Sequence, residues 1–239
     1  MLRTLFSDVL DWLHPPICLG CEKRLVGQTG LCGFCRASIE PKNRTFCLGC
    51  GVVLPAVFAG RLTCVQCGSK KYPFERVVVF GEYRDDLRAL ILKGKTQSGE
   101  LLMEVLGLVL AEVKADLFKR LGDVEVTAIP SPWIRSLVRG HNSAASLASG
   151  VASQLKCRLN LGLLRRARST PRQMTLSRPK RLENIRGAFK MGKSLPVKAS
   201  TVLLVDDVMT TGATILEAAK VLKGGGIGKV IPVVLARTP

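Results

Sequence analysis

Val202-Leu-Leu-Val-Asp-Asp-Val-Met-Thr-Thr-Gly-Ala-Thr214 is the stretch from which the fold of this chain is read. Four apolar residues, Val202 to Val205, read as a strand buried on both faces, as strands of parallel sheets are. Asp206 and Asp207 then emerge at its carboxyl end, where open α/β sheets hold their ligands. A carboxylate pair there suits the hydroxyls of a ribose diol, or the magnesium that accompanies a diphosphate. Thr210, Thr211, Gly212, Ala213 and Thr214 lead straight into the apolar-periodic stretch Ile215 to Leu222, which predicts a helix. Amides at a helix start, the helix dipole and three threonine hydroxyls make an anion cradle the size of a monophosphate. Gly212 permits close backbone approach. A threonine-capped turn explains any one of these features alone. Strand, acid pair, threonine-glycine turn and helix in one ordered unit point instead to a phosphorylated sugar.

Around this unit, apolar runs alternate with helix-period segments in the manner of an α/β domain. Strands are predicted near Arg76 to Phe80, Val124 to Ile129, Thr201 to Val205 and Val230 to Leu235. Helices are predicted over about Asp85 to Leu92, Gly99 to Leu121, Asn142 to Leu155 and Gly212 to Leu222, with Gly224-Gly225-Gly226 stopping the last. Pro130 and Ser131 close the second strand, and Arg139 and Gly140 precede the next helix. A loop with guanidinium donors suits a diphosphate leaving group, which gains negative charge as its bond breaks. Gly187-Ala-Phe-Lys-Met-Gly-Lys-Ser194 carries the letters of a nucleotide-binding P-loop. No strand precedes it and Pro196 bars a regular helix after it, so the required context is missing.

The 239 residues have a formal charge of +18 and are 47% hydrophobic, which supports a folded core and favours anionic partners. Residues 3–13 read as a short amphipathic helix ended by Pro15 and Pro16. Asp8 and Asp11 interrupt its apolar residues, unlike a signal peptide, and no apolar run approaches bilayer length. A cytoplasmic protein without integral membrane insertion is therefore expected.

Eight of the nine cysteines form four Cys-x-x-Cys pairs: Cys18/Cys21, Cys32/Cys35, Cys47/Cys50 and Cys64/Cys67. Each pair places two thiolates on one turn to grip a tetrahedral metal, and a reducing compartment disfavours disulfides, so structural zinc is expected. The simplest assignment puts the first four around one ion and the last four around another. Spacing alone also allows a cross-braced arrangement, and one or two ions. Residues 17 to about 70 lack the apolar surface for a core of their own, so metal must supply the missing stabilisation. A composition change at Lys70-Lys71-Tyr72-Pro73 divides the chain into a zinc module, 1–70, and an α/β domain, 71–239.

The strand, acid pair and threonine turn resemble the signature of type I phosphoribosyltransferases. Further motifs extend the resemblance along nearly the whole chain: the four cysteine pairs, Pro130-x-Pro132, Arg139-Gly140-x-Asn142, Leu164-x-Arg166-x-Arg168-x-Thr170-x-x-Gln173, Arg181-x-x-Asn184 and Ala188-Phe189. In this series the chain resembles the ComF family of competence-associated phosphoribosyltransferase-like proteins. The resemblance implies a parallel sheet with flanking helices, a basic hood at about 161–198 and an N-terminal zinc ribbon. It implies phosphoribosyl diphosphate as ligand, with magnesium. It also places Arg166, Arg168, Gln173, Arg181 and Asn184 where an acceptor or nucleic acid would touch the hood. Two departures stand out. His141 and Ser143 replace an aromatic residue and a glutamine of the family pattern. The lysine that the family follows with an aromatic is here Lys93, before Gly94, or Lys95, before Thr96.

Two functions are consistent with these residues. The first is transfer of a phosphoribosyl group to an acceptor, with Asp206 and Asp207 stabilising charge on the sugar. The second is a binding module of the competence machinery that keeps the pocket for regulation. Its partners would be single-stranded DNA and a competence helicase or DNA-processing protein.

Overall fold

A computed structural model describes residues 16–25, 30–41, 44–55, 62–67, 70–132, 140–168, 183–193 and 197–239. The helix expected at residues 3–13 lies outside them. Among the described residues, helices α1 (Gly33–Ile39), α2 (Asp85–Gly94), α3 (Glu100–Val113), α4 (Ala115–Lys119), α5 (Ser143–Leu155) and α6 (Ala213–Gly224) surround two sheets. The main sheet contains β1 (Val78–Glu82), β2 (Val124–Ala128), β3 (Arg158–Leu159), β6 (Thr201–Met209) and β7 (Lys229–Arg237), in the order β1-β7-β6-β2-β3. Every pairing in it is parallel. The short strands β4 (Leu164–Arg166) and β5 (Phe189–Met191) form a separate antiparallel pair inside the basic insert.

The chain steps from β2 outward to β3, returns across β2 to β6, and continues the other way to β7. The direction of winding therefore reverses between β2 and β6, and the crevice beyond their carboxyl ends is where doubly wound sheets bind ligands. Helices α3 and α5 pack on one face with β2 and the apolar residues Leu203 and Val205 of β6. Helix α6 and the β4–β5 hood cover the other face, against Val202 and Leu204. Successive side chains of a strand point to opposite faces, so the run Val202 to Val205 is buried twice over, as its lack of alternation required.

Helices α3 and α5 cross at van der Waals contact through two glycines. A Cβ at Gly107 would lie 2.2 Å from the Leu147 carbonyl oxygen, and one at Gly150 would lie 1.9 Å from that of Glu104. Ser149 adds a hydrogen bond of 2.9 Å to the Glu104 carboxylate across the same seam. This contact fixes α5, whose first turn reaches the crevice.

Several boundaries differ from the sequence expectation. Strand β6 does not stop at Val205. Its pairing with β2 ends at Ala128↔Val205, but its pairing with β7 continues to Met209↔Arg237. The helix expected over Gly99 to Leu121 is two helices, α3 and α4, interrupted at Lys114. Strands β3 to β5 and helix α1 were not anticipated, since two- and three-residue strands carry no periodicity. The P-loop letters fall partly on β5, so Gly187 to Lys193 form no strand-to-helix phosphate turn.

The zinc module packs directly on the α/β domain. Cys18, Leu25, Leu31, Cys35 and Ile39 belong to one buried cluster with Leu90 of α2 and Leu102 and Leu106 of α3. Its stability is thus drawn from the domain as well as from metal.

Candidate functional site

The stretch of β6 that has lost β2 as a neighbour carries Asp206 and Asp207 into the crevice. The Asp207 amide donates to Asp206 Oδ1 at 2.9 Å, holding the first carboxylate against the main chain of the residue that follows. Asp207 Oδ2 accepts the Ser143 hydroxyl at 2.8 Å and lies 3.0 Å from the Lys95 ammonium. Three distant segments therefore converge on one oxygen: β6, the start of α5 and the residue after α2. Burial, then the charge of Asp207, push the Asp206 carboxyl up to about 7, with Lys95 and Arg166 opposing. A carboxyl whose pKa is raised on folding adds stability that is complete below about 4 and is lost as pH rises through 7. Wild type is accordingly expected to lose melting temperature relative to Asp206→Asn between pH 5 and 8. Parallel melting curves across that range would refute this assignment.

Lys95 is held in place from below. It follows the last residue of α2, Gly94, whose carbonyl lies 3.1 Å from a ring nitrogen of the buried His141. Lys93 turns the other way, to the Gly20 carbonyl at 3.1 Å and Glu22 at 2.7 Å on the zinc module. Of the two candidate lysines, only Lys95 reaches the acid pair.

Asn142 caps α5, accepting the Ala144 amide at 3.2 Å and the Ser131 hydroxyl at 2.8 Å while donating to the Ile129 carbonyl at 3.3 Å. Pro130 and Ser131 are thereby fastened to the helix that presents Ser143. The backbone turns through Gly140 at a φ of 76°. Arg139 lies outside the described residues.

Gly212 caps α6 at a φ of 77°, a left-handed conformation that side chains disfavour, and a Cβ there would stand 2.6 Å from Met209 Cε. The Thr211 hydroxyl accepts the Ala213 amide at 3.4 Å, at the first residue of the helix. The sequence placed this helix start at Gly212 itself. The structure makes Gly212 the residue before it.

The hood is anchored at both ends. Arg166 donates to the Pro130 carbonyl at 2.9 Å and stacks its guanidinium over Phe189, 5.1 Å from the ring centroid. Arg168 donates to the carbonyls of Asn184 and Arg186 at 2.9 and 2.6 Å. The Gly187 amide reaches Glu217 of α6 at 2.6 Å. Gln173 and Arg181 lie outside the described residues.

The four-cysteine sets assemble in sequential order. Sulfurs of Cys18, Cys21, Cys32 and Cys35 lie within 4.8 Å of one another, as do those of Cys47, Cys50, Cys64 and Cys67. Amides donate to thiolate positions in both, from Cys32 to Cys18 and from Cys64 to Cys47, each at 3.2 Å. Burial raises the Cys18 and Cys47 thiols, but these and neighbouring amides outweigh it and bring them down to about 6 and about 7. Burial pushes the Cys35, Cys50 and Cys67 thiols up, so the charged form is favoured at one thiol of each set; four thiols so gathered fit zinc in a closed structural shell.

Sequence reading left His141 between a diphosphate contact and loop packing, gave Ser143 no contact and missed Arg237; the structure puts His141 on the Gly94 carbonyl and Ser143 on Asp207. Ser143 and His141 had one available signal, their departure from the family pattern. Arg237 had none.

Comparison with known proteins finds two family models in the chain. A phosphoribosyl transferase domain model matches residues 141–239, and a double zinc ribbon domain model matches residues 9–68. The chain is 31% identical over 229 residues to the DNA utilization protein YhgH of Escherichia coli (strain K12), covering 94% of this chain and 98% of that protein. It is 28% identical over 221 residues to Competence protein F of Haemophilus influenzae, covering 89% and 93%. A solved structure, that of TT1426 from Thermus thermophilus, shares 20% identity with a TM-score of 0.34, over 57% of this chain and 83% of that one. The last likeness is too distant to bear on activity.

Proposed function

The chain belongs to the ComF family, and from that premise we propose that it binds phosphoribosyl diphosphate and transfers its phosphoribosyl group to an acceptor. The observation that carries this reading is the convergence of Ser143 and Lys95 on Asp207, beside the helix start at Gly212. The 5-phosphate sits on the amides and hydroxyls of Thr210 to Thr214, where the dipole of α6 favours an anion. The ribose diol faces Asp206 and Asp207. The diphosphate lies along Pro130, Ser131 and Gly140, with Lys95 leaving Asp207 for a phosphate oxygen.

Asp206 and Asp207 are hard oxygen donors and suit magnesium, although Asp207 Oδ2 already has two donors. When bound with the diphosphate, the ion neutralises charge on the leaving group. As the C1′ bond breaks, the sugar ring becomes positive, and the two carboxylates lie where they stabilise it. The α5 cap holds Ser143 against Asp207, and Arg166 pins strand β4 of the hood to Pro130.

The decisive experiment is calorimetry with phosphoribosyl diphosphate and magnesium, followed by measurement of diphosphate released in a metabolite extract. Heat with release supports transfer, heat without release supports binding alone, and absence of heat ends this reading. Lys95→Met is expected to weaken binding about tenfold, the value of one charge-assisted hydrogen bond. Lys93→Met, at the ribbon, is expected to leave affinity within twofold, read from the same titration.

The likeness to a DNA utilization protein and a competence protein supports a second reading, binding of DNA. The charge of +18 supplies the electrostatics for it. Replacing Arg165 and Lys190, on the paired strands β4 and β5, should then lower the slope of log affinity against log salt. An unchanged slope removes the hood from that role.

A further inference from the structure

The carboxyl end of β7 joins the Cys47–Cys50 turn, a knuckle of the second four-cysteine cluster, to the Thr210–Thr214 loop. Arg237 ends β7 opposite Met209, which ends β6 just before Thr210. Its Nε donates to the Cys50 carbonyl at 2.8 Å, inside the knuckle turn. Its Nη1 donates to the Met209 carbonyl at 3.4 Å and to Thr238, through both the carbonyl and the hydroxyl of that residue. The Met209 carbonyl also accepts the Thr238 amide at 3.1 Å. One guanidinium thus spans from one of the four clustered cysteines to Met209, the residue before the Thr210–Thr214 loop.

The same turn also rests on the start of the edge strand β1. Gly51, at a φ of 70°, sits so near β1 that a Cβ would lie 2.8 Å from the Val79 side chain. The Leu48 carbonyl accepts the Val77 amide at 2.8 Å. The turn 48–51 is therefore pressed on the sheet, and the Cys50 carbonyl has a fixed address as long as Cys47, Cys50, Cys64 and Cys67 stay gathered. Guanidinium geometry is planar and forked, so it transmits position, which a lysine at the same place would not do.

We infer that Arg237 is a positioning residue through which the second four-cysteine cluster sets the conformation of the Thr210–Thr214 loop. The zinc ribbon is then part of the ligand site, without touching ligand. Releasing the knuckle frees the Cys50 carbonyl, leaves Arg237 with one side of its fork unmade, and loosens the carbonyl that starts the loop.

The test compares wild type, Arg237→Met, Arg237→Lys, Cys64→Ser and the Arg237→Met/Cys64→Ser double variant. The first readout is amide hydrogen exchange of residues 206–216, with zinc content and melting temperature measured on each sample. Arg237→Met with wild-type zinc content should accelerate exchange there about tenfold, and Arg237→Lys should not restore protection. Cys64→Ser should accelerate it in the wild-type background and add nothing in the Arg237→Met background. Unchanged exchange in Arg237→Met, or equal acceleration by Cys64→Ser in both backgrounds, overturns the inference. If Cys64→Ser does not fold, the Arg237→Met comparison alone decides. The second readout, ribose 5-phosphate affinity, rests on the phosphoribosyl reading and should fall about tenfold in Arg237→Met, the scale of a lost charge-assisted hydrogen bond. Silence of the wild-type protein toward ribose 5-phosphate counts against that reading, whereas the exchange data judge the coupling independently.

Discussion

Chelating the metal from both four-cysteine clusters is expected to lower the melting temperature by more than about 10 °C, since a structural zinc site contributes about 10–16 kcal/mol in isolated fingers. The loss will not be confined to the zinc module. Leu25, Leu31 and Ile39 share their buried cluster with α2 and α3, so melting of the ribbon exposes the outer face of those helices. Loss of each buried aliphatic contact costs about 1.5–3 kcal/mol. Differential scanning calorimetry, with and without a strong chelator, reads the effect directly. Two separate transitions, with the upper one unmoved, would mean that the ribbon and the α/β domain fold independently, contrary to the packing.

The second large effect is expected at Asp207. Asp207→Asn keeps the shape of the side chain but removes the charge that Lys95 meets at 3.0 Å, and it offers a neutral acceptor to Ser143. An ionic hydrogen-bonded partner is worth about 1.5–3 kcal/mol, and both side chains are partly exposed, which moderates the value. Affinity for phosphoribosyl diphosphate should fall roughly 10- to 100-fold, with diphosphate release falling further if the carboxylate stabilises the charged sugar. Titration calorimetry gives the first number and a single-turnover assay the second. Wild-type affinity in Asp207→Asn would separate Asp207 from ligand binding altogether.

Much of this arrangement was legible in the residues alone, for reasons that differ from element to element. The strand Val202 to Val205 announced itself because a segment buried on both faces has no alternation to disguise it. Gly212 was legible because a positive φ leaves few alternatives to glycine. Cysteine spacing carried the two metal clusters, although only the folded turns decided that the pairs combine in order. The length of β6 was not legible, because its extra residues depend on pairing with β7 after β2 has ended. The choice between Lys93 and Lys95 was equally hidden. It turns on His141 gripping the Gly94 carbonyl and on the ribbon carbonyl of Gly20, neither of which is local in sequence. Arg237 was illegible for the same reason, its partner Cys50 being 187 residues away.

The glycine seam between α3 and α5 has a bearing on directed evolution of the protein. At Gly107 and Gly150 the added methyl group of alanine would meet main-chain oxygen, which cannot swing aside as a flexible side chain does. Libraries randomised along these two helices should therefore be purged at those codons by sheer crowding, whatever activity is selected. An intolerant position there reports the spacing of two rods and should not be mistaken for chemistry.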